Sequence, residues 1–198
     1  MLMQYDQESG VKAGAGGVTE SGAYVGALSA KLGVASTGTK FLEFTLKTDS
    51  GEARYLSAYY EKSDGTVINS GKNLINAIMG LLKLPGINQQ AAFDAEGKDI
   101  LMVPEFEGKN IGFVLQKVLY TKNDGSDGYK FEIKMPFSAV SRQTLKEGLA
   151  SSQAAIVDKM LESLADKDDR TQKQAVGNPS GYGNQGGGQV DQYEDVNF

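Results

Sequence analysis

Apolar and polar positions begin to alternate just after Gly22, and the period of that alternation predicts the elements. Tyr24-Val25-Gly26-Ala27-Leu28-Ser29-Ala30-Lys31-Leu32 sets apolar residues at alternate positions with small ones between, the period of a strand. Lys40 to Lys47 repeats the pattern, with Leu42, Phe44 and Leu46 on one face and Glu43, Thr45 and Lys47 on the other. Ala53 to Tyr60 predicts a third strand. Its more apolar register combines Leu56 and Ala58 with Tyr60, which turns Tyr59 outward. Ser36-Thr37-Gly38-Thr39, Asp49-Ser50-Gly51 and Ser63-Asp64-Gly65 supply the turns.

The period then changes. Leu74, Ile75, Ile78, Leu81 and Leu82 form a helical stripe from Lys72 onward, with Asn69 or Ser70 available as a cap and Pro85-Gly86 as a stop. A short segment without a clear period follows. Gly108 to Thr121 predicts a long strand, Asn123 to Gly128 a turn, and Tyr129 to Met135 the returning strand. Leu145, Leu149, Ile156, Met160, Leu161 and Leu164 predict one helix over 141–165. The class is mainly β. Five strands with a helix between the third and fourth is the element order of the OB-fold, a small, partly open barrel, here with a C-terminal helix; a two-layer α+β sheet is the alternative.

Composition narrows the chemistry. The chain has 198 residues, no Cys and no His. Lack of Cys excludes disulfides and thiolate zinc sites and fits a reducing, cytoplasmic setting. Lack of His removes the commonest general base and every Ser-His or Cys-His arrangement. Met1-Leu2-Met3-Gln4-Tyr5-Asp6 has neither a basic start nor an apolar run, so no signal peptide is expected, and Leu74–Leu84 is too short to span a membrane. The net charge is −5, but residues 166–198 hold six acids against three bases, leaving nineteen acids and seventeen bases in 1–165. The body is nearly neutral, so a nucleic-acid site would have to be a local patch.

Such a patch is suggested by aromatic and basic residues interleaved on the predicted strands. Arg54, Tyr55, Tyr59 and Lys62 gather on the third strand and its turn. Phe113, Lys117, Tyr120, Lys122 and Lys130 gather on the last hairpin, with Tyr129 and Lys134 beside them. Exposed rings stack on unpaired bases while Lys and Arg follow the phosphates. Ordinary strand composition gives a similar list, because Tyr and Phe favour strands and about half must face a core. Lys72, at the start of the first helix, either holds a phosphate or is simply solvated. Gly71-Lys72, Gly97-Lys98 and Gly108-Lys109 lack the upstream Gly and the following Ser or Thr of a phosphate loop. Asp124 to Gly128 lacks the acid spacing of a calcium loop, and Asp94, Glu96 and Asp99 form one polar run rather than a convergent metal site. No catalytic set, metal or cofactor is expected.

The far end has its own character. Gln174 to Val190 carries no charge, and six of its seventeen residues are Gly. Such a spacer cannot offset its ordering entropy and is expected to be disordered. It leads to Asp191, Tyr193, Glu194, Asp195, Val196, Asn197 and Phe198, an acidic tip ending on an aromatic ring. That tip is either a solvated tail or a peptide ligand whose ring fills a pocket while its acids meet Lys or Arg.

Taken together, these parts resemble single-stranded DNA-binding proteins. Glu194-Asp195-Val196-Asn197-Phe198 is similar to the acidic, Phe-terminated tip of the bacterial members, though less acidic and without their Pro before the Phe. The body resembles phage-encoded members through Gly22-Ala23-Tyr24, Ser36-Thr37-Gly38-Thr39, Tyr59 to Gly65 ahead of the helix at Lys72, and Gly112-Phe113-Val114-Leu115-Gln116 with Tyr120. The resemblance covers roughly residues 22–137 and the tail. It implies a non-enzymatic protein of phage replication or recombination, in the host cytoplasm, that coats and protects single strands. Its tail would recruit replication or recombination proteins and compete with DNA for the basic groove. The expected division is a flexible arm over 1–20, a DNA-binding domain over 21–140, a helix over 141–165 and a linker with its tip over 166–198. Two rivals remain: a protein-interaction module that binds no nucleic acid, and a carboxylate-metal nuclease. A monomer and a dimer are equally compatible with the pattern.

Overall fold

The structure, a computed structural model, describes residues 17–94 and 96–170. Its organising element is the long strand β1 (Gly22–Val34). One edge of β1 pairs antiparallel with β2 (Lys40–Thr48), and β2 with β3 (Gly51–Glu61). The other edge is shared. β6 (Lys109–Thr121) takes Gly22–Leu28, and β5 (Asp99–Met102) takes Lys31 and Leu32. β4 (Gln90–Phe93) pairs with β5, and β7 (Asp127–Phe137) with β6. A two-residue strand, β8 (Lys167–Asp168), joins β6 in parallel at Val118 and Leu119.

The mainly β class is as expected, but the single eight-stranded sheet is not closed. β3 and β7 bring Cα atoms within 8 Å of each other without forming a ladder. The hairpin β4–β5 was hidden from the sequence pattern because its strands are four residues long and Ala91-Ala92 favours no strand.

The inner face of the sheet holds the core. Leu42, Phe44 and Leu46 are buried on β2 as their alternation predicts, and Leu56 and Ala58 on β3. The helix α1 (Asn69–Leu81) lays Ile75 and Ile78 against them. Phe44 meets Phe106 and Phe113 edge-on, with ring centroids 5.6 and 6.2 Å apart. Neither Asn69 nor Ser70 caps α1: both lie within its first turn, after Ile68, whose side chain makes no capping hydrogen bond. The helix stops before Pro85, where Lys83 turns left-handed (φ 55°) and the Leu84 N–H reaches back to the Met79 carbonyl.

The single helix expected over 141–165 is two short ones, α2 (Leu145–Leu149) and α3 (Ile156–Ser163). Glu147 is the reason. With Thr144 it forms a capping box at the start of α2. Its other carboxylate oxygen accepts the Ala155 and Ile156 N–H groups at 2.7 and 2.9 Å, capping α3 as well. The spacing Thr144-Leu145-Lys146-Glu147 is the sequence signal for this break. α3 then packs Val157 against Val114 and Phe137 on the opposite face of the sheet, forming a second, smaller core.

Burial opposes ionisation of Glu147, but the hydrogen bonds from Thr144, Ala155 and Ile156 outweigh it and lower its carboxyl pKa to about 2. The folded pKa lies below the unfolded value, so this stabilisation is fully present above about pH 4.5 and is lost as pH falls toward 2. Glu147→Gln should cost about 2 kcal/mol at pH 7, as expected for losing hydrogen bonds to a charged acceptor. A melting-temperature series from pH 7 to pH 3 checks this: the gap between the wild type and the variant should narrow as the pH falls.

Two expected boundaries shift. Val18 is buried in the main core, so the fold begins inside the span 1–20 assigned to the arm. Residues 167–170 belong to the body rather than the linker: Lys167 and Asp168 pair with β6, and Arg170 bridges Asp168 and Asp127. Residues 1–16, the spacer 174–190 and the tip residues Asp191, Tyr193, Glu194, Asp195, Val196, Asn197 and Phe198 lie outside the described residues.

Candidate nucleic-acid interface

The outer face of β1–β3 is built in rows by strand register. Gly33, Phe41 and Tyr59 stand side by side, as do Lys31, Glu43 and Ser57. The Phe41 ring lies over Gly33, where an added Cβ would come within 2.3 Å of it. Phe41 and Tyr59 sit with ring centroids 5.1 Å apart, tilted by 44°. Tyr59 is 45% exposed, whereas Tyr60 packs against the core, as the apolar register predicts.

The next row contains a bulge. Phe44 opposes Leu56 and Leu46 opposes Ala53, which leaves Arg54 and Tyr55 together opposite Thr45. Neighbours on a regular strand face opposite ways, but here both residues are exposed on the outer face. Tyr55 is 69% exposed and adopts φ 61°, a conformation uncommon for a bulky residue. Sequence alternation could not reveal the extra residue. Phe41, which the sequence analysis did not single out, was detectable: it sits on the polar side of an otherwise clean alternation.

The charges on this face are largely matched. Lys31 pairs with Glu43 at 2.9 Å; off this face, at the end of β3, Lys40 pairs with Glu61. Glu52 holds Arg54 through both Nε and a terminal guanidinium nitrogen. Lys47 makes no ion pair among the described residues.

The β6–β7 hairpin splits its candidates between two faces. Lys117 faces Tyr129, with Nζ 4.8 Å from the ring centre, and Tyr129 meets Phe131 edge-on at 5.8 Å. By register, Tyr120, Gly128 and Lys130 occupy the other face. Tyr120 and Lys122 crowd Gly128, where an added Cβ would meet them at 3.0 and 2.9 Å. Lys130 pairs with Glu132 at 3.1 Å. Phe113 is withdrawn as a stacking candidate: it is fully buried against Phe44, because it shares the inward face of β6 with Ile111 and Leu115.

Lys62 stands exposed in the turn after β3, held by the Lys62 N–H to Thr66 carbonyl bond. Lys72, on α1, lines a cavity of about 590 Å³ beside Tyr60 and Glu61. The acids of the sequence runs are engaged in turns. Asp94 accepts the Glu96 and Lys98 N–H groups, and Asp124 accepts the N–H and hydroxyl of Ser126. Among the described residues no group of three acidic side chains is arranged to hold a metal ion. No described helix is long and apolar enough to cross a membrane. No protein-family model matches the chain, and a search of curated proteins finds no match.

Proposed function

We propose that this protein binds single-stranded DNA without sequence selection and acts in replication or recombination, without catalysis. One observation carries the reading: Phe41, Tyr55 and Tyr59 share one sheet face, with two of the rings well exposed and cations around them. The frame β1-β2-β3-β6-β7, with α1 between its third and fourth strands, is read as an OB-like barrel left open between β3 and β7. Oligonucleotides commonly cross such barrels over the second and third strands, where this face lies. A phage-encoded member working in the host cytoplasm fits the resemblance of the body. The acidic tip, Asp191 to Phe198, would recruit partner proteins.

The matched charges set the salt response. Of the cations expected from the sequence, Lys62, Lys72, Lys117 and Lys122 make no ion pair among the described residues, nor does Lys47, added by its place on the outer face, whereas Arg54 and Lys130 do. At about 0.7 ions released per phosphate neutralised, five lysines give a log–log salt slope no steeper than about −3.5. Fluorescence anisotropy with labelled poly-dT of about 30 nucleotides, competed with duplex, tests this at several salt concentrations. Salt-sensitive binding that duplex does not displace is expected. No binding at low salt would overturn the reading and favour a protein-interaction module.

A further inference from the structure

We infer that the cavity between the inner sheet face, α1 and residues 87–89 is a site for a single nucleotide, its base held inside and its phosphate at Lys72. The choice of a nucleotide rests on the single-strand reading above; the shape and chemistry of the site come from the cavity itself. Its volume of about 590 Å³ lies within the range of ligand pockets, roughly 300–1,000 Å³. Leu32, Leu42, Ile75 and Val103 give it apolar walls suited to a flat ring.

Some of the polar groups around these walls are uncommitted and others are held in place. The side chains of Asn76, Gln89 and Lys72 have no hydrogen bond or ion pair among the described residues. Asn88 is held in place: its backbone N–H and its side-chain Nδ2 both donate to Glu105 Oε1, at 3.1 and 2.8 Å, leaving its Oδ1 unused. Carboxamides offer the mixed donors and acceptors that match base edges, and an apolar-walled pocket with such groups is how an unstacked base is held, which adds a preference at one nucleotide to binding that is otherwise without sequence selection. Glu61 also lines the cavity, but its charge is met by Lys40, so Lys72 remains as the cation for one phosphate. Tyr60 adds a hydroxyl, protonated at neutral pH like any phenol, that can donate.

The nucleotide has two possible sources, a free mononucleotide or one nucleotide of a bound strand, and the test separates them. Calorimetry with each of the four deoxynucleoside monophosphates measures the free form. Anisotropy with the four homopolymers measures the strand. Both are run on the full chain and on Asn76→Ala, Gln89→Ala and Asn76→Trp, with melting curves to confirm folding. Asn76 is exposed on α1, so a Trp there should fold while filling the cavity.

The expected result is saturable binding of at least one monophosphate, weakened about fivefold to tenfold by either Ala variant and abolished by Asn76→Trp. A change in the homopolymer ranking in Asn76→Trp, without binding of free monophosphate, also supports the site and assigns it to the strand. No monophosphate binding together with an unchanged homopolymer ranking overturns it. In that case, persistent salt-sensitive binding of poly-dT leaves the single-strand reading standing. Monophosphate binding without any oligonucleotide binding keeps the site and removes that reading.

Discussion

Replacing Gly71 by Ala should lower stability by about 3 kcal/mol, at the upper end of what overpacking usually costs. A Cβ at Gly71 would stand 1.8 Å from the Tyr59 carbonyl oxygen and 2.5 Å from its carbon. Those are backbone atoms, so no side-chain rotation relieves the overlap. β3 is pinned by its ladder to β2, and α1 is pinned by Ile75 and Ile78 in the core. Relief therefore requires the first turn of α1 to lift away from β3. Ala is the better helix former by about 1 kcal/mol, which is too little to offset this. For a domain of this size the loss corresponds to a fall in melting temperature of roughly 6–12 °C. Gly86→Ala is the control, since nothing lies within 4 Å of its added Cβ and its melting temperature should not move. A Gly71→Ala melt within 2 °C of the wild type would show that the helix start is not held in this contact.

Gly71 also shows where a one-dimensional pattern stops being informative. In the sequence it is one half of a Gly-Lys pair that lacks the spacing of a phosphate loop. The structural need for glycine comes from the Tyr59 carbonyl on the preceding strand, against which α1 folds back. β2 and most of β3 were legible because one face is buried and the other wet, which forces strict alternation. The turns at Gly65 and Gly125 were legible because both adopt positive φ. The bulge at Arg54-Tyr55 was not legible, since an inserted residue leaves no compositional mark. Nor was the inward fate of Phe113: the run Ile111-Gly112-Phe113-Val114-Leu115 is buried on both faces, between the main core and α3, so its alternation carries no direction. The candidate site was thus visible as a set of residue types, and register was needed to sort them into faces.

That sorting yields the sharpest functional expectation. Tyr55→Gly combined with Tyr59→Ala should weaken single-strand binding by about 2–6 kcal/mol, or roughly 30-fold to 10⁴-fold, if each ring stacks on one base. The charged residues are untouched, so the salt slope should stay as in the wild type. Lys47→Gln is the converse: a modest loss of affinity and a slope shallower by about 0.7. Gly is chosen at position 55 for a physical reason. The positive φ of Tyr55 costs a side-chain-bearing residue about 1 kcal/mol, and relieving it offsets the added chain entropy of Gly. Tyr55→Gly should therefore leave stability unchanged, whereas Tyr59→Ala gives up the ring contact with Phe41 and should cost about 1 kcal/mol, so a melting curve of the double variant separates a binding defect from a folding one. Strain that persists at a ring 69% exposed is the pattern expected where conformation serves a ligand. If the folded double variant binds poly-dT as tightly as the wild type, the strand does not cross this face. The β6–β7 hairpin, with Lys117 set against Tyr129, then becomes the surface to mutate next.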